Sequence, residues 1–234
     1  MVAPLQLAPA PIVQPASGSV WGTAVPGIEL DGVGGDAVLR PVAVGLGRAL
    51  ARRHRVPVAG SHLPSAARPW PLLESLPPSM AGGPQRATTR VVLGRLADPV
   101  IRRAVRVARD QSRPTHVVHG DIAPGNIVVE TSPAGTVRIG LIDVGSGGLG
   151  ATEYDLVAAA ATLNQLSRPG LDLEALCLEA YWAACGPGSL NPAWRCISAL
   201  MSAWQVALHH GDDRATDVAR LLSRATAAAE EVRS

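Results

Sequence analysis

Lysine and phenylalanine are missing altogether from this chain of 234 residues, so all 21 of its basic side chains are arginine. Aromatic residues make up 3% of the chain. None interleaves with the arginines of 95–109, which removes the stacking platforms that nucleic-acid binding uses, and no nucleic-acid partner is expected. The three cysteines, Cys177, Cys185 and Cys196, have no metal-ligand spacing and are expected as free, buried thiols. The longest apolar run, 156–163, falls far short of the ~20 residues that span a bilayer. No basic residue precedes Arg40, which argues against a signal peptide. A cytoplasmic protein with no membrane partner is expected.

Alanine, arginine, glycine and proline are plentiful, which speaks of a GC-rich genome rather than of mechanism. At 47% hydrophobic residues the chain is long enough to bury a sizeable core. The net charge of +2 hides an asymmetry: residues 1–118 carry 14 arginines and 6 acids, residues 119–234 carry 7 arginines and 13 acids. A solvated basic helix face is the ordinary reading of such a half.

Residues 11–14 and 19–25 read as strands. Apolar residues at steps of three and four predict a helix over 37–54 capped by Asp36, then a helical stretch over 84–110. Between them, the Pro-rich residues 56–84 are expected as a surface excursion, anchored by Trp70, Leu72 and Leu73. Four more helices follow: 153–166 capped by Thr152, 171–185, 192–210 and 213–232. Pro near the first turn and Gly past the last punctuate them. His209 and His210 read as a helix C-terminus rather than a metal pair.

The chemistry concentrates in residues 119–155. A β-branched run ends in His119-Gly120-Asp121, a Pro124-Gly125-Asn126 turn follows, and two short apolar runs separated by a Ser/Pro/Gly turn predict a β-hairpin ending at Asp143. Asp121 and Asn126 precede the hairpin and Asp143 leaves it. Two carboxylates and a carboxamide therefore converge at loop ends, where oxygen ligands suit magnesium. Two glycine clusters compete for attention. Residues 32–35 lack the flanking strands of a phosphate-covering loop. Residues 145–150 satisfy G-x-G-x-x-G after a strand, but helices follow where a dinucleotide fold needs another strand.

H-G-D-x-x-P-G-N, then I-D-x-G and Y-D-L, resembles the aminoglycoside phosphotransferase and choline kinase-like family, relatives of the protein kinases. The resemblance implies an α+β fold: a kinase-like large helical lobe with a catalytic β-hairpin at 28–234, and a remnant of the small N-terminal lobe with the hinge at 1–27. It implies Asp121 as catalytic base, Asn126 and Asp143 as Mg2+ ligands, and His119 and Asp155 as structural supports. ATP or another NTP is expected beneath the hinge, where the backbone of Thr23 and Val25 would meet the base. The acceptor is a hydroxyl of a small molecule or peptide, bound among the C-terminal helices; Glu153, Asp172, Asp212 and Asp213 are the acids available for a cationic one.

Family members also use a glycine-rich loop and a lysine held by a glutamate, and the chain shows neither. Three readings follow: an enzyme in which an arginine such as Arg40 or Arg138 substitutes for lysine, an enzyme whose small lobe is completed by a protein partner, or a non-catalytic scaffolding module that has kept the motifs.

Overall fold

A computed structural model describes residues 11–13, 21–22, 25–58, 63–73, 86–168 and 170–232. Among them the helical periodicity becomes seven α-helices: α1 (Asp36–His54), α2 (Ala87–Arg95), α3 (Pro99–Gln111), α4 (Thr152–Leu166), α5 (Leu173–Cys185), α6 (Pro192–His210) and α7 (Ala215–Glu231). The strands are short: β1 (Pro11–Val13), β2 (Trp21–Gly22), β3 (Ile28–Glu29), β4 (His116–Val118), β5 (Ile127–Thr131), β6 (Val137–Leu141) and β7 (Gly148–Gly150). This is the expected α+β architecture, a helical lobe carrying a β-hairpin. Of the remainder of the two N-terminal strand expectations, Val25 is outside any strand and the other residues lie outside the described ones.

The predicted hairpin is β5–β6, with Ile127 opposite Leu141 at its base and Thr131 opposite Val137 near its turn. β3 adds antiparallel to the other edge of β5. The run before His119 does not join this sheet: β4 pairs antiparallel with β7.

Helix ends differ from expectation where local chemistry decides them. The pattern over 84–110 breaks into α2 and α3, because Asp98 accepts a hydrogen bond from the Val100 amide at 2.9 Å and Pro99 occupies the first helical position, where its missing N–H costs nothing. Asp36 is the first residue of α1 rather than its cap, which is Gly35. Thr152 likewise lies inside α4; its hydroxyl donates to Glu153 instead of to the helix end. Cys177 and Cys196 are buried, as expected, while Cys185, at the last turn of α5, is exposed.

α6 is the buried axis of the lobe. Trp194, Ile197, Leu200 and Val206 are almost inaccessible, and α4 and α7 pack against it. Leu46 and Leu50 of α1 and Leu156 and Leu163 of α4 complete the same core. The Pro-rich excursion is anchored as predicted: Leu72 is buried and Trp70 packs on Trp204 with ring centroids 5.7 Å apart. Among the described residues one arginine–carboxylate pair, Arg168 with Asp36 at 3.2 Å, bridges the basic and acidic halves. No helix of the described residues is long and apolar enough to cross a membrane.

Four helices meet at Glu174, whose carboxylate accepts from Asn164, Ser198 and Arg224, each at 3.0 Å. Asn164 and Ser198 are buried, so removing their acceptor leaves donors that water cannot reach. Glu174→Ala is expected to cost about 2–3 kcal/mol, read as a lowered urea midpoint with an unchanged m-value.

Candidate active site

The loop joining β4 to β5 carries His119, Asp121 and Asn126, and it is held from underneath by α4. Asp155, in the first turn of α4, is fully buried. Its Oδ2 accepts from the His119 amide at 2.8 Å and its Oδ1 from the Gly120 amide at 2.9 Å. Thr162, two turns further along α4, donates its hydroxyl to the Ile122 carbonyl at 2.8 Å. Gly120 has φ 81°, and a Cβ there would stand 2.2 Å from the Ser146 carbonyl oxygen; no other residue fits this turn.

A third donor reaches Asp155 from α1. His54 Nε2 lies 3.0 Å from Asp155 Oδ2, and its Nδ1 lies 2.9 Å from the Tyr181 hydroxyl of α5. Burial raises the Tyr181 pKa, so the phenol keeps its proton; its hydroxyl shares a hydrogen bond with His54 Nδ1, and His54 Nε2 donates to Asp155. Burial alone would raise the Asp155 pKa, but the hydrogen bonds from His54 and the two amides outweigh it and the pKa is lowered. Arg53 adds a positive charge nearby: burial lowers its pKa while Asp155 raises it, and its Nη2 donates to the Val118 carbonyl at 3.2 Å.

His119 is buried, and its Nε2 lies 2.8 Å from the Ile142 carbonyl. A carbonyl only accepts, so Nε2 carries the proton and Nδ1 is a bare, unpartnered acceptor. Burial lowers the His119 pKa, against the pull of Asp155, and keeps the ring neutral. The Ile142 amide in turn donates to the Asn126 carbonyl at 3.0 Å. Asn126 and Asp143 are thereby tied across the base of the hairpin.

At the surface of this frame, Asn126 Nδ2 donates to the Asp121 carboxylate at 2.9 Å and to the Asp121 carbonyl at 3.0 Å. One carboxylate oxygen of Asp121 is left for another partner, and Oδ1 of Asn126 is free to accept. The Asp143 side chain is exposed and makes no hydrogen bond or ion pair with the described residues. A carboxylate with a carboxamide oxygen is a hard donor set of the kind magnesium takes. Four predicted residues, His119, Asp121, Asn126 and Asp155, thus belong to one hydrogen-bonded frame, and Asp143 follows directly on Ile142, which that frame holds.

Of the hinge pair, Thr23 lies outside the described residues; Val25 packs over Gly140 of β6, its Cγ1 2.4 Å from where a Cβ would stand. Neither candidate for a lysine substitute reaches the site: Arg40 donates to the Gly170 carbonyl at 3.4 Å and Arg138 pairs with Glu130 at 3.3 Å, toward the turn of the hairpin. His54 went unread in the sequence. Residues 64–67 did also. They run beside β7, with Ala66 N–H donating to the Leu149 carbonyl at 2.9 Å, Leu149 N–H to the Pro64 carbonyl at 2.8 Å and Ala67 N–H to the Ser146 carbonyl at 3.0 Å. A Cβ at Gly148 would stand 2.1 Å from the Pro64 carbonyl oxygen, so the second glycine cluster serves this close approach and not a dinucleotide.

The profile of the phosphotransferase enzyme family matches residues 6–200. No curated protein matches the chain. Among solved structures, the choline kinase LicA from Streptococcus pneumoniae is 15% identical with a TM-score of 0.52, covering 96% of this chain and 75% of its own. A choline/ethanolamine kinase family protein from Mesorhizobium loti is 16% identical with a TM-score of 0.59, covering 96% and 79%. At such identities the likeness concerns the fold, and it is the kinase-like fold expected from the motifs.

Two outcomes follow from the buried frame. Asp155→Ala strands three buried donors and is expected to cost about 3–5 kcal/mol in chemical denaturation. His119 has a folded pKa below its unfolded value near 6.5, so its stabilisation is complete above pH 6.5 and is lost as pH falls through the folded value. Melting temperature is expected to drop between pH 7 and 5, and His119→Gln to flatten that slope.

Proposed function

The chain belongs to the phosphotransferase enzyme family, and we propose that it transfers a phosphoryl group from ATP or another NTP to a hydroxyl of a small molecule or peptide. The observation that carries this reading is the Asn126 amide holding the exposed Asp121 carboxylate at 2.9 Å on the same frame that presents Asp143. Asp121 accepts or orients the proton of the attacking hydroxyl, and general-base catalysis of this kind is worth about 10²–10⁴-fold. Asn126 Oδ1 and the Asp143 carboxylate hold Mg2+. The ion supplies charge neutralisation at the phosphates, which matters the more in a chain without lysine. The backbone around Val25, packed on the hairpin that ends in Asp143, receives the nucleobase.

The nucleotide and the acceptor approach from opposite sides of Asp121 in this reading. A cavity of about 200 Å3 opens on its acceptor side, between residues 67–70, α4 and α6. The acceptor therefore meets two of the C-terminal helices, and the Pro-rich excursion supplies the remaining wall.

Calorimetry and a coupled nucleotide-turnover assay test the proposal. Magnesium ATP is expected to bind, and Asp143→Ala to abolish that binding. Asp121→Asn is expected to leave binding intact while lowering kcat by at least 10²-fold. Binding and partner functions that survive both substitutions would favour the scaffolding reading, and turnover only upon addition of a second chain would favour a completed small lobe.

A further inference from the structure

The cavity beside Asp121 carries few charges, and their balance defines an acceptor class. Asp121 is the one carboxylate and Arg68 the one guanidinium among the described residues that line it; Trp70, Tyr154, Met201 and Gln205 are among its other lining residues. None of the acids available for recognising an ammonium group takes part. Asp172 caps α5 through the Ala175 amide at 2.9 Å, Glu153 is bonded by Thr152, and Asp212 and Asp213 lie in the short turn after α6. A polycation would find a single counter-charge here, and that one is committed to the reacting hydroxyl.

Arg68 is held for a ligand rather than for the fold. Its main chain leaves a segment pinned by three backbone hydrogen bonds to 146–149 and enters the turn anchored by Trp70 on Trp204. Its side chain is exposed and makes no hydrogen bond or ion pair with the described residues. An anionic ligand placed beside Asp121 alone would be repelled; a guanidinium lining the same cavity offsets that charge and offers a bidentate fork to a carboxylate or phosphate. Trp70, also in the wall, has a buried indole N–H without a partner. The volume, about 200 Å3, lies below the ~300 Å3 at which pockets for drug-sized ligands begin.

We propose that the acceptor is a compact alcohol bearing an anionic group, which Arg68 binds at the rim while Asp121 takes the hydroxyl. The inference rests on the phosphotransferase reading for the role of Asp121, and on the cavity alone for its charge preference. If transfer occurs, the alcohol O–H bond breaks, its proton passes to Asp121, and the alcohol oxygen forms the new P–O bond as the nucleotide diphosphate leaves.

The test is saturation-transfer NMR and calorimetry on the purified chain with D-glycerate, glycerol 3-phosphate, glycerol, choline and kanamycin, alongside phosphoryl-transfer assays with magnesium ATP. The anionic alcohols are expected to bind and to weaken about tenfold or more in Arg68→Gln, with partial recovery in Arg68→Lys; choline and kanamycin are expected to bind more weakly than either anion. Tighter binding of choline or kanamycin, anion affinity unchanged in Arg68→Gln, or no anionic alcohol bound at 10 mM (roughly the weak end of small-ligand affinity) overturns the proposal. Arg68-dependent binding without transfer by the chain alone would sink the stand-alone phosphotransferase reading and leave the charge preference standing. Transfer to choline but to neither anion would do the reverse.

Discussion

A single buried carboxylate sets the geometry of the candidate site. Asp155 is wholly removed from water, and an ion in that position carries a desolvation penalty of several kcal/mol unless its lone pairs are satisfied. Here three N–H groups meet it: the amides of His119 and Gly120, and the imidazole of His54. The donors come from different places in the chain, the end of α1 and the loop after β4, while the acceptor starts α4. Satisfying one carboxylate thus locks three segments together. Gly120 explains why the loop needs such a partner: at φ 81° its N–H points away from any regular ladder, and a buried amide without an acceptor would itself be costly.

What the sequence disclosed about this arrangement follows from locality. Asp121, Asn126, Asp143 and Asp155 lie within 35 positions of one another, in residue types and spacings that short apolar runs and turns make legible. The hairpin was readable for the same reason. His54 was not, because it reads as the third member of a basic helix end, Arg52-Arg53-His54, where a favourable dipole interaction is sufficient explanation. Its position did hold a signal: it continues the i, i+4 row of Leu46 and Leu50, the buried face of α1, and a polar side chain on such a row needs a partner. Which partner, 101 residues away, no local pattern tells.

The Pro-rich excursion was opaque for a different reason. Residues 64–67 have neither helical nor strand periodicity, since what holds them is backbone hydrogen bonding to β7 rather than an apolar stripe. The decisive residues are on the other side of the contact: Gly148 and its neighbours allow two backbones to approach where a Cβ would collide. The G-x-G-x-x-G pattern therefore encodes packing. The same segment turns an unpatterned stretch into one wall of the cavity next to Asp121, so that wall was less legible than the motif residues it faces.

Asp143 shows how the frame reaches the residue that leaves the hairpin. Among the described residues it is the one non-glycine with positive φ, at φ 55° and ψ 64°. Such a backbone costs of order 1 kcal/mol or more and persists only where the surroundings over-determine it. The surroundings do so through Ile142, whose amide is given to Asn126 and whose carbonyl accepts from His119. With both its polar backbone groups engaged, Ile142 cannot turn without breaking a bond to the loop that carries Asp121. His119 in turn is positioned by its own amide on Asp155. The chain Asp155, His119, Ile142, Asp143 therefore transmits one buried anchor to an exposed carboxylate, while the branch through Gly120 transmits it to Asp121. Asp121 and Asp143 are set by the same carboxylate, and their relative placement is a property of the core rather than of two independent surface loops.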